Sequence, residues 1–481
     1  MTRRRQIAMA LIAVLAMTAG ACGNSGDDDD SSGDDTDTTT STEAPDTDET
    51  DDGGAETDDD TDDEGDTGDA AGDSGEFVPL AGVPGVSDEE ITVGAIGTKS
   101  NNILGTCILD CYVTGIEAYF DMVNADGGVH GRRLVIGETL DDELFNNQAR
   151  SLELIANEDS FAAFVATLQA TGFGDLDEAG VPTFVWGIHA TESNGRMANY
   201  GHFPVTCADC PGRSLPYMVQ LAGGTRVASL GYGISENSKV CANTSAASID
   251  RYGSEIGAEM VYLNDELEFG VPNGVGPQVT EMIDAGVDFV MSCLDLNAMK
   301  SFAQELERQG VRDQITLHHP NSYNQDFVAE AGSLFDGDYV VPQFAPFEST
   351  VPAVEVFQQW VDANGGPVAE QTMVGWINAD LFVQGLLATG GEFSRAALVD
   401  TLNTEFTDYS ADGLINPIDW SRQHVAPTDD DRTTNGSVLE CSAIVTMQGG
   451  AFEVVGELDA PFTCWDNSTT EWSEPEAMSF E

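Results

Sequence analysis

From Ile91 onward the chain alternates short apolar runs with segments whose apolar residues recur every three or four positions. "ITVGAIG" (Ile91–Gly97) reads as a strand, and a helix follows in which Val113, Ile116, Phe120 and Val123 form one stripe. Gly127 and Gly128 in "NADGGVHG" supply its glycine stop. "RRLVIGETL" is then a strand and "NNQARSLELIANE" a helix, with "FAAFVATL" (Phe161–Leu168) and "VPTFVWGI" (Val181–Ile188) as further strands. The alternation repeats. "TRVASLGYG" (Thr225–Gly233), "EMVYLND", "VDFVMSCLD" (Val287–Asp295), "QITLHH" and "GDYVVPQF" read as strands, and "NTSAASIDRYGSEIG", "GPQVTEMIDAG" and "NAMKSFAQELERQG" as helices. After Phe344 the pattern turns helical, with "PAVEVFQQWVDANGG", "TMVGWINADLFVQGLLATGG" and "SRAALVDTLNTE". "SVLECSAIVTMQGGAFEVVGEL" reads as one hairpin turning at Gly449-Gly450. Continuous apolar strands between helices predict α/β architecture with parallel sheets covered on both faces.

The first 76 residues follow different rules. Arg3, Arg4 and Arg5 precede an apolar run, Ile7–Ala21, that ends at Cys22. This is the layout of a secretory signal, too short to cross a bilayer comfortably. "TAGAC" resembles a bacterial lipoprotein signal whose cysteine is lipidated, departing from it at Ala19, where leucine is commoner. An ordinary cleaved signal with an incidental Cys22 is the alternative. From Gly23 to Glu76 there are 24 acidic residues and no Lys or Arg. Such a tract cannot bury enough apolar surface to offset the entropy of ordering, so an extended, disordered linker is expected. Cys22 then acts as the tether point and the tract as its leash.

The whole chain carries 18 basic against 84 acidic residues, net −66. Without the leader and the tract the balance is still 15 against 60. This argues against nucleic acid and anionic membrane surfaces as partners, since both need positive patches. The remaining stretch of about 400 residues exceeds a single core and implies two domains.

Besides Cys22, eight cysteines remain, an even number that suits an oxidising compartment. Cys107 with Cys111, Cys207 with Cys210, and Cys441 with Cys464 are close in sequence, which leaves Cys241 with Cys293. The alternatives for "CADC" (207–210) are a redox CxxC, without the expected aromatic before it, and zinc, for which no second CxxC exists. His318 and His319 are adjacent on a strand and so point to opposite faces, which argues against a shared metal. No metal or cofactor is expected.

"GVSDEEITVGAIG", "AYFDMVNADGGVHGRRLVI", "GVPTFVWGIHAT", "GGEFSRAALVDTLNT" and "GLINPIDWSRQH" occur in this order between about Gly85 and Gly456. Together they resemble the leucine/isoleucine/valine-binding protein family, the type I substrate-binding proteins of bacterial ABC importers. The resemblance implies two Rossmann-like lobes with parallel sheets, joined by three hinge crossovers and closing on a small ligand. It implies lobe one from 78 to 206 and 344 to 435, lobe two from 207 to 343, and a C-terminal hairpin and tail, 436–481, on or beside lobe two. The signal would occupy 1–21 and the lipidated linker 22–77. Transferred position by position, the ligand contacts fall on Ser100, Gln169, Thr171, Ala190, Thr191, Tyr232, Asp295 and Tyr323. Gln169 departs from the small hydroxyl residues usual there, and His189 replaces an alanine. An acidic residue among them would pair with an ammonium group. Each has a plainer reading: Tyr232 as a packed strand-end ring, Asp295 as a helix cap, Ser100 bonding its own loop.

The expectation is an exported, monomeric, lipid-anchored protein at the outer face of the cytoplasmic membrane. It would deliver an amino acid, amide or small organic acid to ABC-transporter permease subunits. A tethered sensing domain is the first alternative. An enzyme acting on a small amide or amino acid is the second, although GxSxG, HExxH, a P-loop and GxGxxG are all missing.

Overall fold

The computed structural model describes residues 75–480, apart from 103, 187–189 and 321. The leader, Cys22 and nearly all of the acidic tract lie outside the described residues. Among the described residues, no helix is long and apolar enough to cross a membrane.

The first half is laid down as β1 (Glu90–Gly97), α1 (Leu109–Ala125), β2 (Arg133–Asp141), α2 (Asn147–Asn157), β3 (Ala163–Ala166), α3 (Phe173–Glu178), β4 (Thr183–Val185), α4 (Ala190–Ser193) and β5 (Asn199–Gly201). Its sheet is parallel, in the order β2-β1-β3-β4-β5. The second half follows as α5 (Ser214–Ala222), β6 (Arg226–Tyr232), α6 (Glu236–Ile256), β7 (Glu259–Leu267), α7 (Gly276–Asp284), β8 (Phe289–Cys293), α8 (Leu296–Gln309), β9 (Thr316–Leu317), α9 (Gln325–Ala331) and β10 (Tyr339–Val340). Its sheet is also parallel, in the order β7-β6-β8-β9.

Three helices then pack back against the first half: α10 (Pro352–Ala363), α11 (Glu370–Thr389) and α12 (Arg395–Glu405). α11 runs alongside α1, and their glycines set the spacing. A Cβ on Gly115 would meet the Thr372 carbonyl oxygen at 1.9 Å, and one on Gly375 would meet the Tyr112 carbonyl oxygen at 2.1 Å. The Tyr112 hydroxyl donates to the Phe184 carbonyl (3.0 Å), and Asn378 Nδ2 donates to the Val185 carbonyl (3.0 Å). These bonds seat the helix pair on β4. Phe382 meets Phe164 and Phe184 edge-on at 5.7 and 5.5 Å. Rings buried this completely contribute roughly 1.5–3 kcal/mol each.

The C-terminal segment departs from the single hairpin expected. β12 (Val445–Gln448) and β13 (Ala451–Val454) do turn at Gly449-Gly450, and β12 pairs with β10 on its other edge. The preceding strand, β11 (Leu439–Ala443), instead joins β14 (Phe462–Asp466) and β15 (Glu476–Met478) in a separate antiparallel sheet. The chain changes sheets at the fully buried Ile444, and an unbroken apolar alternation hides such a switch. The sulfurs of all four expected cysteine pairs lie at bonding distance: Cys107–Cys111, Cys207–Cys210, Cys241–Cys293 and Cys441–Cys464. Cys441 and Cys464 are direct cross-strand partners.

Between the sheets the connecting segments run side by side. The His202 ring Nε2 meets Gln343 Oε1 at 2.7 Å. The Val205 N–H donates to Gln423 Oε1 (3.1 Å), and Asn435 Nδ2 donates to the Val205 carbonyl (2.7 Å). Burial pushes His202 down to about 4, against the raising pull of Gln343, so its ring is neutral at physiological pH.

Candidate functional site

In an open parallel sheet, the crevice lies beyond the carboxyl ends of the strands, where the strand order reverses. The first sheet reverses between β1 and β3, and the second between β6 and β8. Ser100 follows β1 and Gln169 and Thr171 follow β3, while Tyr232 ends β6 and Asp295 follows β8. Five of the residues expected at the ligand therefore flank the two reversal points.

Strand-end carboxylates hold the loops of the first half. Asp141, ending β2, accepts from the backbone N–H groups of Lys99 and Ser100 (3.1 Å each) and of Glu143 (2.9 Å). Partial burial raises its carboxyl, but the bonds from Ser100, Glu143 and Lys99 outweigh that and hold it below its ordinary value. Buried Asp142 accepts from the Leu144 N–H (2.9 Å) and the Thr167 hydroxyl (2.5 Å). Gln169 and Thr171 are exposed on the loop so formed. The Thr171 hydroxyl oxygen accepts the Gln148 N–H (3.2 Å) at the start of α2. α4 begins at Ala190, and the side chains of Ala190 and Thr191 lie outside the described set.

In the second half the Tyr232 hydroxyl donates to Asp295 Oδ2, and the ring packs on Phe269 at 4.8 Å. Burial, reinforced by the carboxylate, drives the Tyr232 phenol far above its usual value. Asp295 is also the N-cap of α8, its Oδ1 accepting from Asn297 N–H (2.9 Å) and Ala298 N–H (3.1 Å). Tyr323 sits apart from the reversal point, 1% exposed. Its ring stacks on Phe347 (centroids 4.6 Å, planes 6° apart), and its hydroxyl donates to Glu348 while accepting the Phe347 N–H (2.7 Å).

Among the described residues, two of the contacts between the halves lie near this crevice. On one side, the loop after β1 rests on the start of α8, where a Cβ on Gly105 would stand 2.6 Å from Asn297 Nδ2. On the other, the Glu370 N–H at the start of α11 donates to the Tyr323 carbonyl (3.1 Å), beside an Asn324–Ala369 bridge. Glu370 and Trp186, which follows β4, stand at this second seam. Both are buried, at 5% and 1% exposure. Burial raises the Glu370 carboxyl to about 7, while the Trp186 side chain and the Tyr323 backbone pull it partly back. Neither residue stood out in the sequence, because an acid in the first turn of a helix is commonplace and a tryptophan in an apolar strand reads as core.

Both histidines of the 318–319 pair are buried. His319 Nε2 meets the Asp338 carboxylate at 2.7 Å, and Arg312 donates to the same oxygen (2.5 Å). Burial, then the neighbouring His319, pushes His318 down to about 3.

A model of the periplasmic binding protein family matches residues 90–451. The chain belongs to this family. The resemblance read from the sequence is borne out, as is the pair of parallel-sheet halves. The Leu/Ile/Val-binding protein homolog 8 of Brucella abortus (strain 2308) is 23% identical over 297 residues, spanning 58% of this chain and 72% of the relative. Among solved structures, the fatty acid ABC transporter substrate-binding protein of Thermomonospora curvata superposes with a TM-score of 0.58 at 16% identity, covering 78% of this chain and 93% of that one. The branched-chain amino acid transporter substrate-binding protein of Streptococcus pneumoniae, solved with isoleucine, gives 0.59 at 16% identity over 76% of this chain and 99% of that one. A solute-binding protein of R. palustris, solved with 4-hydroxybenzoate, gives 0.56 at 15% identity over 79% and 98%. At such identities the likeness carries the fold. These relatives and neighbours are substrate-binding proteins, a family that takes small molecules outside the cytoplasm and works with ABC transporters.

Proposed function

We propose that this periplasmic binding protein captures a small polar solute between the carboxyl ends of its two parallel sheets and delivers it to the permease of an ABC importer. The observation that carries the reading is the placement of Ser100, Gln169, Thr171, Tyr232 and Asp295 around the two strand-order reversals. Ligand binds one half, the other closes over it, and the difference in affinity between open and closed forms shifts their equilibrium. The connecting segments near 206, 344 and 435 act as hinges between lobe one (78–206 and 344–435) and lobe two (207–343 with 436–481). Ser100, Gln169, Thr171, Ala190 and Thr191 contribute polar contacts from lobe one. Tyr232, held by Asp295, closes from lobe two, and Tyr323 stiffens the seam. Cys22, lipidated, tethers the protein outside the cytoplasmic membrane through the acidic linker, and the four cysteine pairs are disulfides there.

Thermal-shift screening of the purified protein against amino acids, amides and small organic acids tests the reading. A saturable rise in melting temperature is expected, and Thr191→Ala is expected to weaken it without unfolding the protein. A flat response across the panel would count against it.

A further inference from the structure

The segments that connect the two halves enclose a cavity of about 360 Å³, and none of the residues at the strand-order reversals lines it. Every connection contributes to its wall. Phe203, Pro204 and Thr206 come from the first, Val341 and Gln343 from the second, and Asn435 and Ser437 from the third. Ile415 and Pro427 close it from the loop after α12, and Leu439, Ala443 and Phe462 from the sheet of β11 and β14. A volume of this size with mostly apolar walls suits a small molecule.

The charged groups around this wall are largely spent on one another. Glu440 Oε1 accepts from the Arg213 N–H (2.5 Å), and its Oε2 accepts from Arg213 Nε (3.0 Å). Asp429 Oδ1 accepts from Arg432 Nε (3.1 Å) and Nη2 (2.5 Å). Arg432 Nη2 also donates to the Pro211 carbonyl (2.7 Å). These bonds fix a guanidinium that is only 7% exposed. Its third nitrogen, Nη1, makes no hydrogen bond among the described residues; Glu440 Oε2 stands 3.9 Å from it. A planar guanidinium carries five N–H donors in a rigid fork, so Arg432 lines the cavity with donors to spare.

The chemistry of an occupant follows from these groups. A cation would be repelled by Arg432, and a carboxylate by Glu440 beside the same nitrogen. An uncharged carbonyl oxygen accepts from Nη1 without either cost, and an apolar body covers the remaining wall. We propose that the cavity is a second binding site, for an uncharged, mostly apolar molecule that presents a carbonyl oxygen to Arg432. Its occupant touches all three connecting segments at once and so stiffens them. This site is separate from the cleft and does not depend on what the cleft takes.

The test uses acetophenone and 2-acetylnaphthalene as probes, with benzoate and 2-naphthoate as their charged counterparts, each titrated by calorimetry into the intact protein. At least one ketone is expected to bind saturably, and at least 10-fold more tightly than its carboxylate counterpart. Arg432→Gln should weaken the ketone about 5- to 20-fold, as for one hydrogen bond from a charged donor. Ser442→Phe, which places a ring on the cavity wall, should weaken it at least as much, and thermal melts check that both variants fold. Hydrogen exchange then locates the probe. At ten times its Kd, amides of the three connecting segments should exchange about 10-fold more slowly wherever exchange requires the site to empty. Absence of ketone binding, equal binding of the carboxylates, or unchanged affinity in both variants would overturn the inference. Protection confined to the loops carrying Ser100, Thr171 and Tyr232 would place the ketone in the cleft and overturn it as well.

Discussion

Replacing Glu370 by Gln should stabilise the empty protein, and by more as the pH rises. The Glu370 carboxyl is held at about 7 instead of its ordinary 4.5, chiefly by burial. Its folded-state value is thus raised above its unfolded one. The unfolded chain gives up this proton first on going up in pH, so between these two values the folded state binds more protons and stability falls. Below about 4.5 the group costs nothing, and above about 7 the full cost is present. At ~1.4 kcal/mol per tenfold, that gap corresponds to a ceiling of about 3 kcal/mol. With 5% exposure, solvent does little to screen it. Glutamine has nearly the same shape and never ionises, so the variant escapes this cost. Urea unfolding of both proteins at pH 5, 6.5 and 8 reads the difference directly. Other buried acids, such as Asp380, which burial raises to about 6, are common to both proteins and cancel. The expected gain for Glu370→Gln is a few tenths of a kcal/mol at pH 5, rising to about 1–3 kcal/mol at pH 8. A difference that is flat with pH, or that falls as pH rises, would refute the reasoning.

Other outcomes follow from the packing. Gly375→Ala places a methyl group 2.1 Å from the Tyr112 carbonyl oxygen, and separating α1 from α11 should cost about 1–3 kcal/mol in chemical denaturation; an unchanged midpoint would contradict the close approach. Tyr232→Phe removes the donor to Asp295 Oδ2 and should lower stability by about 1.5–3 kcal/mol, with no loss expected if Asp295 were solvated. The Cys241–Cys293 pair closes the longest stretch of the four, with a sequence separation of 52. Cys241→Ser with Cys293→Ser should therefore destabilise most, by about 4 kcal/mol on loop entropy, against about 2 for opening Cys107–Cys111, whose separation is 4; equal melting shifts would argue against that ranking.

Much of this architecture could be read from the chain. β1, β3, β6 and β8 are apolar runs because they lie inside sheets covered on both faces, and such runs announce themselves. Ser100, Gln169, Tyr232 and Asp295 came instead from the family resemblance, and the fold puts them at or just past the ends of these strands. α3 buries little beyond Phe173 and Leu176, too short a pattern to carry a period. α5 escaped notice because Pro216 stands in its first turn, where proline is tolerated although it reads as a breaker. β9 and β10 shrink to two residues each, and the sheet change at Ile444 leaves no mark on an alternating pattern. Asp295 was open between helix cap and ligand contact, and the fold makes it the cap and the Tyr232 acceptor. Glu370 was out of reach of local reasoning. It meets Trp186 and Tyr323 only because α11 returns to the first half after the chain has built the second.

Solute held between the two parallel sheets would be visible in a crystal structure of the protein with any amino-acid, amide or organic-acid probe that raises its melting temperature. Density is expected within hydrogen-bonding or van der Waals reach of Trp186 and Tyr232, beyond the ends of β1, β3, β6 and β8. Density instead in the cavity of about 360 Å³ lined by His202, Gln343, Arg432 and Glu440, with the cleft empty of the probe, would contradict it.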